Sequence, residues 1–208
     1  MVTKSEVNQN ESINTKIETL TTTKIKDSLV DYLPKSQSYR LQEGKHGGSG
    51  VFFNPEGENT RYGLTDGKKG SLYVANAPRT SMKEVFQKLP AIKVSDLDNY
   101  YMATLETEKN LKVVDVTRLA PKMHVTANEL TGDNYKITQK LADKLSSHSD
   151  GLMYVSNVTL ETCLVLWHDD PSGKGLIRTK EFAALSEFEF DGKTAEDILV
   201  EDLDIPVM

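Results

Sequence analysis

The chain has one cysteine among 208 residues, so an intrachain disulfide is excluded. That residue, Cys163, lies in the apolar run CLVLW, where we expect a buried and inert thiol and no nucleophile. Long apolar runs are also missing. A transmembrane helix requires roughly 20 apolar residues, and no run here approaches that length. The sequence therefore predicts a soluble protein without a membrane span.

Basic residues are also outnumbered by acidic ones. The net charge is −6, and a chain that binds nucleic acid needs a basic patch, so we expect no direct contact with nucleic acid. The four histidines have no spacing typical of a metal site, and we expect no metal. The N-terminus lacks an apolar stretch after a basic start, so we expect no Sec-type signal and a cytoplasmic protein.

What is present fits one folded domain with polar ends. Residues 1–24 are rich in Thr, Asn, Ser, Glu and Lys, and this composition predicts a disordered or loosely packed extension. Residues 25–190 carry the periodic apolar pattern of a folded domain. The last segment, 191–208, is acidic, and we expect a solvated terminal helix and tail.

Within the domain, strands and helices are interspersed. The apolar spacing predicts a helix over 25–33 that Pro34 ends, and helical spacing recurs within 128–151. The segment 176–190 fits a strand or a helix. Strands are predicted at SYRLQ, SLYVA, YMATLETE, NLKVVDVT, GLMYVSN and ETCLVLWHDD.

One stretch, residues 52–86, organises the rest. A turn-rich loop with Arg61 leads into the strand SLYVA, and a helix that carries Glu84 follows. The pattern FNPxGxxTRYG, GSLYVANxP and SMKEVF resembles the RES domain, a family named for an invariant Arg, Glu and Ser. The resemblance runs from about residue 36 to about residue 170. It marks five residues as site candidates: Arg40, Arg61, Tyr73, Glu84 and Ser156.

The resemblance implies a fold and an activity. The implied fold is α+β, ADP-ribosyltransferase-like, with a mixed, largely antiparallel β core and flanking helices. The implied activity is consumption of NAD as a substrate by the toxin of a toxin–antitoxin pair. In that scheme Arg40 and Arg61 contact the pyrophosphate, Tyr73 the nicotinamide end, Glu84 the ribosyl cation and Ser156 a ribose or phosphate oxygen. These residue types suit the chemistry, because guanidinium forks match phosphates and a carboxylate stabilises an oxocarbenium-like state.

Several alternatives stay open at this stage. Ser81 and Glu84 have the S-x-x-E spacing of a capping box, and Tyr73 is of a type that often packs in a core. Asn157 stands where the family frequently has Arg, and residues 168–170 replace a Gly-Asp run, which puts outer substrate contacts in doubt. The activity could be that of an NAD glycohydrolase, a phosphorolase or a protein ADP-ribosyltransferase. A non-catalytic binding module is disfavoured, because all five candidates are present together.

Partners also follow from the resemblance. A toxin that drains NAD in its own cytoplasm needs a restraint, and in the family this is commonly a helix-turn-helix antitoxin. The other version is an exported antibacterial effector with a dedicated immunity protein. In that version residues 1–24 would bind a secretion adaptor.

Overall fold

The computed structural model describes residues 4–132 and 134–208, with side chains from residue 11 onward. Its α-helices are α1 (Lys4–Glu18), α2 (Thr22–Lys26), α3 (Pro78–Phe86), α4 (Val116–Lys122), α5 (Ala127–Thr131), α6 (Tyr135–Leu145) and α7 (Ala195–Asp197). Its strands are β1 (Leu29–Tyr32), β2 (Gln37–Glu43), β3 (Gly70–Ala75), β4 (Tyr100–Thr107), β5 (Leu111–Asp115), β6 (Gly151–Val155), β7 (Thr162–His168), β8 (Ile177–Ala184), β9 (Glu189–Phe190) and β10 (Lys193–Thr194). A π-helical turn, Ile198–Asp202, follows α7.

Eight strands form one sheet in the order β1-β5-β6-β7-β3-β2-β4-β8. The pairing between β5 and β6 is parallel, and the other pairs of this sheet are antiparallel. Strands β9 and β10 form a separate antiparallel pair. This mixed, largely antiparallel sheet with flanking helices confirms the predicted α+β class.

The sheet nearly divides between β2 and β3. These neighbours share a single residue pair, Tyr39 with Ala75, whereas β2 pairs with β4 along its whole length and β3 pairs with β7 along its whole length. The two halves of the sheet therefore part beside that pair. The opening between them is where the candidate site lies.

Helices cover both halves. Apolar side chains of α1, α4 and α6 pack with those of β6 and β7 in one core cluster, which contains Trp167 and Leu141. Helix α3 packs its Met82 and Phe86 against β2 in a second cluster. A helix with one apolar face needs such a surface to bury it, and α3 is thereby fixed along the opening with its other face towards β6.

The prediction of disorder for residues 1–24 is wrong for the part whose side chains are described. Ile13, Ile17 and Leu20 are buried in the first core cluster, and α1 packs on α6. Lys140 forms an ion pair with Glu18 at 2.6 Å. The polar composition predicted the wrong state because three apolar residues at helical spacing are enough to pack a helix against an existing core. Residues 1–3 lie outside the described residues.

Two further predictions of local structure are wrong. The helix expected over 25–33 is divided into α2 and the strand β1, because residues 29–32 find a pairing partner in β5. The C-terminal segment is not a solvated tail: Ile198, Leu199 and Leu203 are buried in the second core cluster. Its end is bridged to Ile92, whose amide donates to the Pro206 carbonyl at 2.9 Å. The segment 176–190, for which a strand and a helix both fitted the sequence, contains the strand β8 at residues 177–184.

In the described part of the chain, no helix combines the length and apolar character needed to cross a membrane.

Candidate active site

A cavity of about 260 Å³ lies at the opening between the two halves of the sheet. Three of the five candidates, Arg40, Tyr73 and Glu84, line it. Its walls come from β2, β3, α3, β6 and β7, so residues distant in sequence meet there. The full lining comprises Arg40, Leu41, Tyr73, Val74, Ala75, Ser81, Glu84, Val85, Tyr154 and Cys163.

Glu84 is half-buried on α3 and is oriented by Ser156. The Ser156 hydroxyl donates a hydrogen bond to Glu84 Oε1 at 2.7 Å. In turn, Ser156 Oγ accepts from the amides of Val158 at 3.1 Å and Thr159 at 3.3 Å. These two amides leave the hydroxyl proton directed at the carboxylate. Ser156 is fully buried and is not among the residues that line this cavity, and its expected contact with a ribose or phosphate oxygen stays a prediction.

The capping-box interpretation of Glu84 is wrong. Helix α3 begins at Pro78 after the N-cap Ala77, which makes no side-chain cap bond, so Ser81 is the fourth helical residue. Proline is favoured at the start of a helix because its missing N–H needs no partner there. The Ser81 hydroxyl instead accepts the amide of Leu41 at 2.6 Å. Strand β2 thus gains from α3 a hydrogen bond at the opening, where β3 has moved away.

Arg40 occupies the other side of the cavity. It is half-buried on β2, between the buried neighbours Tyr39 and Leu41, as alternation along a strand predicts. Its Nη1 donates a hydrogen bond to the Gly50 carbonyl oxygen at 2.9 Å, which holds the guanidinium against the end of the glycine-rich loop 44–50 that follows β2. Burial lowers the pKa of Arg40 from its usual value, but a guanidinium still remains charged at neutral pH. The remaining N–H groups of its fork can serve an anion in the cavity.

Arg61 is close to the cavity without belonging to its lining. Burial raises the pKa of both Tyr73 and Cys163, which do line the cavity, and the positive charge of Arg61 is one of the smaller contributions that lower it. The loop that carries it is tightly closed, since a Cβ on Gly57 would lie 2.2 Å from the Leu64 carbonyl oxygen. The backbone of the next residue, Tyr62, is held on both sides: its amide donates to Tyr73 Oη at 2.8 Å, and its carbonyl accepts from Trp167 Nε1 at 3.0 Å.

Tyr73 therefore has two features. Its ring lines the cavity, and its hydroxyl anchors the Arg61 loop to β3 through the Tyr62 amide. Burial raises the pKa of Tyr73, so the hydroxyl stays protonated at neutral pH. The sequence predicted a ligand contact for this residue. The anchoring hydrogen bond is additional and has no signature in the sequence.

A profile of the RES domain matches residues 39–190. The chain belongs to the RES domain family. Among solved structures, a chain of the M. tuberculosis MbcT–MbcA toxin–antitoxin complex is similar to this RES domain, with a TM-score of 0.57 and 16% sequence identity. The match covers 83% of this chain and 91% of that one. A search of curated proteins found no match.

Sequence reasoning did not assign Tyr154 and Cys163 to this RES-domain cavity. They are paired across β6 and β7, and both line the cavity together with Arg40. Burial, together with the negative charge of Glu84, raises the pKa of the Cys163 thiol to about 12. The expectation of a buried thiol is confirmed, and the high pKa keeps it protonated and unreactive. Strand alternation places both residues inward, but only the sheet order brings them to Glu84.

The arrangement combines an oriented carboxylate, a guanidinium and a tyrosine ring around one cavity. Such a set can bind an anionic group at one side and stabilise a developing cation at the other. Among the residues described, no cluster of three or more histidine, cysteine or acidic side chains is placed to hold a metal.

Proposed function

We propose that this RES domain cleaves the bond between nicotinamide and ribose in NAD, with water or phosphate as the acceptor. The observation that carries the proposal is the Glu84 carboxylate, which faces the cavity lined by Arg40 and is oriented by the buried Ser156 hydroxyl. The cavity of about 260 Å³ is near the lower end of small-molecule sites, roughly 300–1,000 Å³, and suits one end of a dinucleotide.

The proposed roles follow from charge. As nicotinamide departs, positive charge develops on the ribosyl carbon, and a fixed carboxylate in a half-buried site stabilises it more than water does. Glu84 takes this role, and it can also orient the attacking water or phosphate. A carboxylate held in advance by Ser156 needs no reorganisation during the reaction.

The two arginines suit the other end of the substrate. The pyrophosphate of NAD carries two negative charges, and guanidinium groups bind phosphate oxygens through paired N–H donors. Arg40 lines the cavity, and Arg61 directly precedes Tyr62, whose amide is bonded to Tyr73 in the cavity wall. The Tyr73 ring offers an apolar face for the nicotinamide.

The biological role that we propose is that of a toxin restrained by a protein partner in the cytoplasm. The similarity of fold to a chain from a toxin–antitoxin complex supports this role. The net charge of −6 suits a division of labour in which a helix-turn-helix antitoxin, and not this chain, contacts DNA.

The test is incubation of the purified protein with NAD, with and without phosphate, followed by separation of the products. We expect free nicotinamide together with ADP-ribose or, with phosphate, its 1-phosphate. The same incubation with a cell lysate and labelled NAD detects transfer to protein. Label on lysate proteins without free ADP-ribose would replace the proposal by a protein ADP-ribosyltransferase. Intact NAD under all three conditions would contradict it.

A further inference from the structure

Gln139 is a buried polar residue of α6 whose side chain leaves its own helix and enters the loop that carries Arg61. Its Nε2 lies within hydrogen-bond distance of three backbone carbonyl oxygens of that loop: those of Gly57 at 3.2 Å, Glu58 at 2.9 Å and Thr60 at 3.0 Å. The preceding residue, Thr138, donates from Oγ1 to the carbonyl oxygen of Arg61 itself. Helix α6 therefore contacts the backbone of the loop at four residues.

The convergence of three carbonyls explains why the loop needs this partner. Their oxygens carry partial negative charge and turn towards the same point, so a donor between them replaces repulsion with attraction. The turn is tight: a Cβ on Gly63 would lie 2.2 Å from the Gly57 carbonyl oxygen. Without Gln139, the carbonyl oxygens of Gly57 and Thr60 would keep only hydrogen bonds from within the loop, including those from the amides of Thr60 at 3.1 Å and Gly63 at 3.3 Å. The loss of the shared donor costs free energy, so we expect the loop to open more often.

The backbone connects this loop to the cavity. Arg61 directly precedes Tyr62, whose amide donates to the hydroxyl of Tyr73, and Tyr73 lines the cavity. Tyr73 holds the loop on one side, through the Tyr62 amide. Gln139 and Thr138 hold it on the other side.

We propose that Gln139 is a positioning residue, which fixes the Arg61 loop so that the guanidinium faces the substrate cavity. The proposal rests on the proposed function, because it assigns Gln139 an effect on NAD binding through Arg61. Gln139 itself is not among the residues that line the cavity. Its effect on substrate must therefore vanish when the Arg61 guanidinium is absent.

Two substitutions test the hydrogen bonds. Gln139→Met keeps the length and removes the donor, while Gln139→Glu keeps the shape and places a carboxylate against the carbonyls. The control is Thr107→Val, which removes a buried hydroxyl that donates to the Leu33 carbonyl at 2.7 Å in another loop. Hydrogen exchange is measured on the amides of residues 57–63. We expect exchange about tenfold faster in both Gln139 variants, because local opening governs amide exchange. Thr107→Val should leave the exchange rates of these amides unchanged.

A double-mutant cycle tests the link to substrate. In the protein with Arg61, Gln139→Met should raise KM for NAD about tenfold with little change in kcat. In an Arg61→Ala background the same change should have no further effect on kcat/KM. Gln139→Glu should regain part of its affinity as the pH is lowered, since a protonated carboxyl group again donates to a carbonyl. Gln139→Met should show no such recovery.

The outcomes separate the two proposals. Wild-type protein that leaves NAD intact contradicts the proposed function, and the exchange of residues 57–63 then decides the role of Gln139 alone. Unchanged exchange in Gln139→Met would overturn that role. Equal losses of kcat/KM with and without Arg61 would also overturn it, because a merely structural effect does not depend on the guanidinium.

Discussion

At the scale of single residues, one hydrogen bond decides how the S-x-x-E spacing is interpreted. A capping box would direct Glu84 back to the first turn of α3, but its Oε1 accepts instead from Ser156, 72 positions further along the chain. Ser81 is occupied by the Leu41 amide. Glu84 therefore does not cap the N-terminus of α3. We propose that Ser156, which donates this hydrogen bond, acts as a positioning residue.

This role predicts a specific kinetic effect of Ser156→Ala. Loss of a hydrogen bond to a charged group costs roughly 1.5–3 kcal/mol, so kcat for NAD should fall at least about tenfold. KM should change little, because the buried hydroxyl points at Glu84 and not into the cavity. Steady-state kinetics of nicotinamide release measure both constants.

An increase in KM with unchanged kcat would instead assign Ser156 to substrate binding. The control is Ser186→Ala, which removes an exposed hydroxyl that donates to Asp98 on another part of the surface. It should alter neither constant.

Local sequence patterns predicted some of the residues around the cavity but not others. Arg40, Tyr73 and Glu84 follow from short local patterns, and the structure places all three around one cavity. Tyr154 and Cys163 reach the same cavity only because β6 and β7 are neighbours, and strand order is not encoded in any local pattern. The Gln139 contact belongs to the same class, since it joins residues about 80 positions apart.

At the scale of elements, the ends of the chain illustrate the limits of composition. Polar residues outnumber apolar ones in residues 1–24, yet Ile13 and Ile17 lie one helical turn apart and are buried against α6. The acidic segment 191–208 also contains apolar residues at helical spacing: Leu199 and Leu203 are four positions apart, and both are buried. Average composition discards spacing, and spacing determines whether a short segment docks. In β1 the spacing itself was misleading: its residues have the spacing of a helix, but they form a strand because they pair with β5.

The docked N-terminal helix predicts a measurable loss of stability. Ile17 is 1% exposed, so Ile17→Ala should lower the free energy of unfolding by about 2–5 kcal/mol, the range for such truncations in a core. The exposed Ser12 on the same helix is the control, and Ser12→Ala should change it by less than about 0.5 kcal/mol. Urea denaturation of both variants provides the measurement.

A free energy of unfolding that is the same for Ile17→Ala and the wild type would restore the view of a loosely attached extension. The expected loss also bears on the effector version of the biology. A segment that is part of the core is less available as an adaptor-binding tail, and its deletion would disturb the domain itself.

At the scale of the whole molecule, the site exists because the sheet divides. Strands β2 and β3 share only the pair Tyr39 and Ala75, and the resulting gap admits α3 with Glu84. The C-terminal segment supports α3 from its other side, where Lys83 Nζ donates to the Leu203 carbonyl at 2.7 Å. Both halves of the sheet and the C-terminal segment thus contribute to the position of α3 and its carboxylate.

The most direct measurement is nicotinamide release from NAD by wild-type protein and by Glu84→Gln. Glutamine can still accept the Ser156 hydroxyl, so the fold and melting temperature should persist while the negative charge is lost. We predict a decrease in turnover of at least about 10²-fold. The control is Glu106→Gln, which removes a mostly buried carboxylate on β4 that is paired with Arg178 of β8 at 2.8 Å. Neither residue lines the cavity, so this change should leave turnover unchanged. Equal turnover by wild type and a folded Glu84→Gln protein would contradict the account.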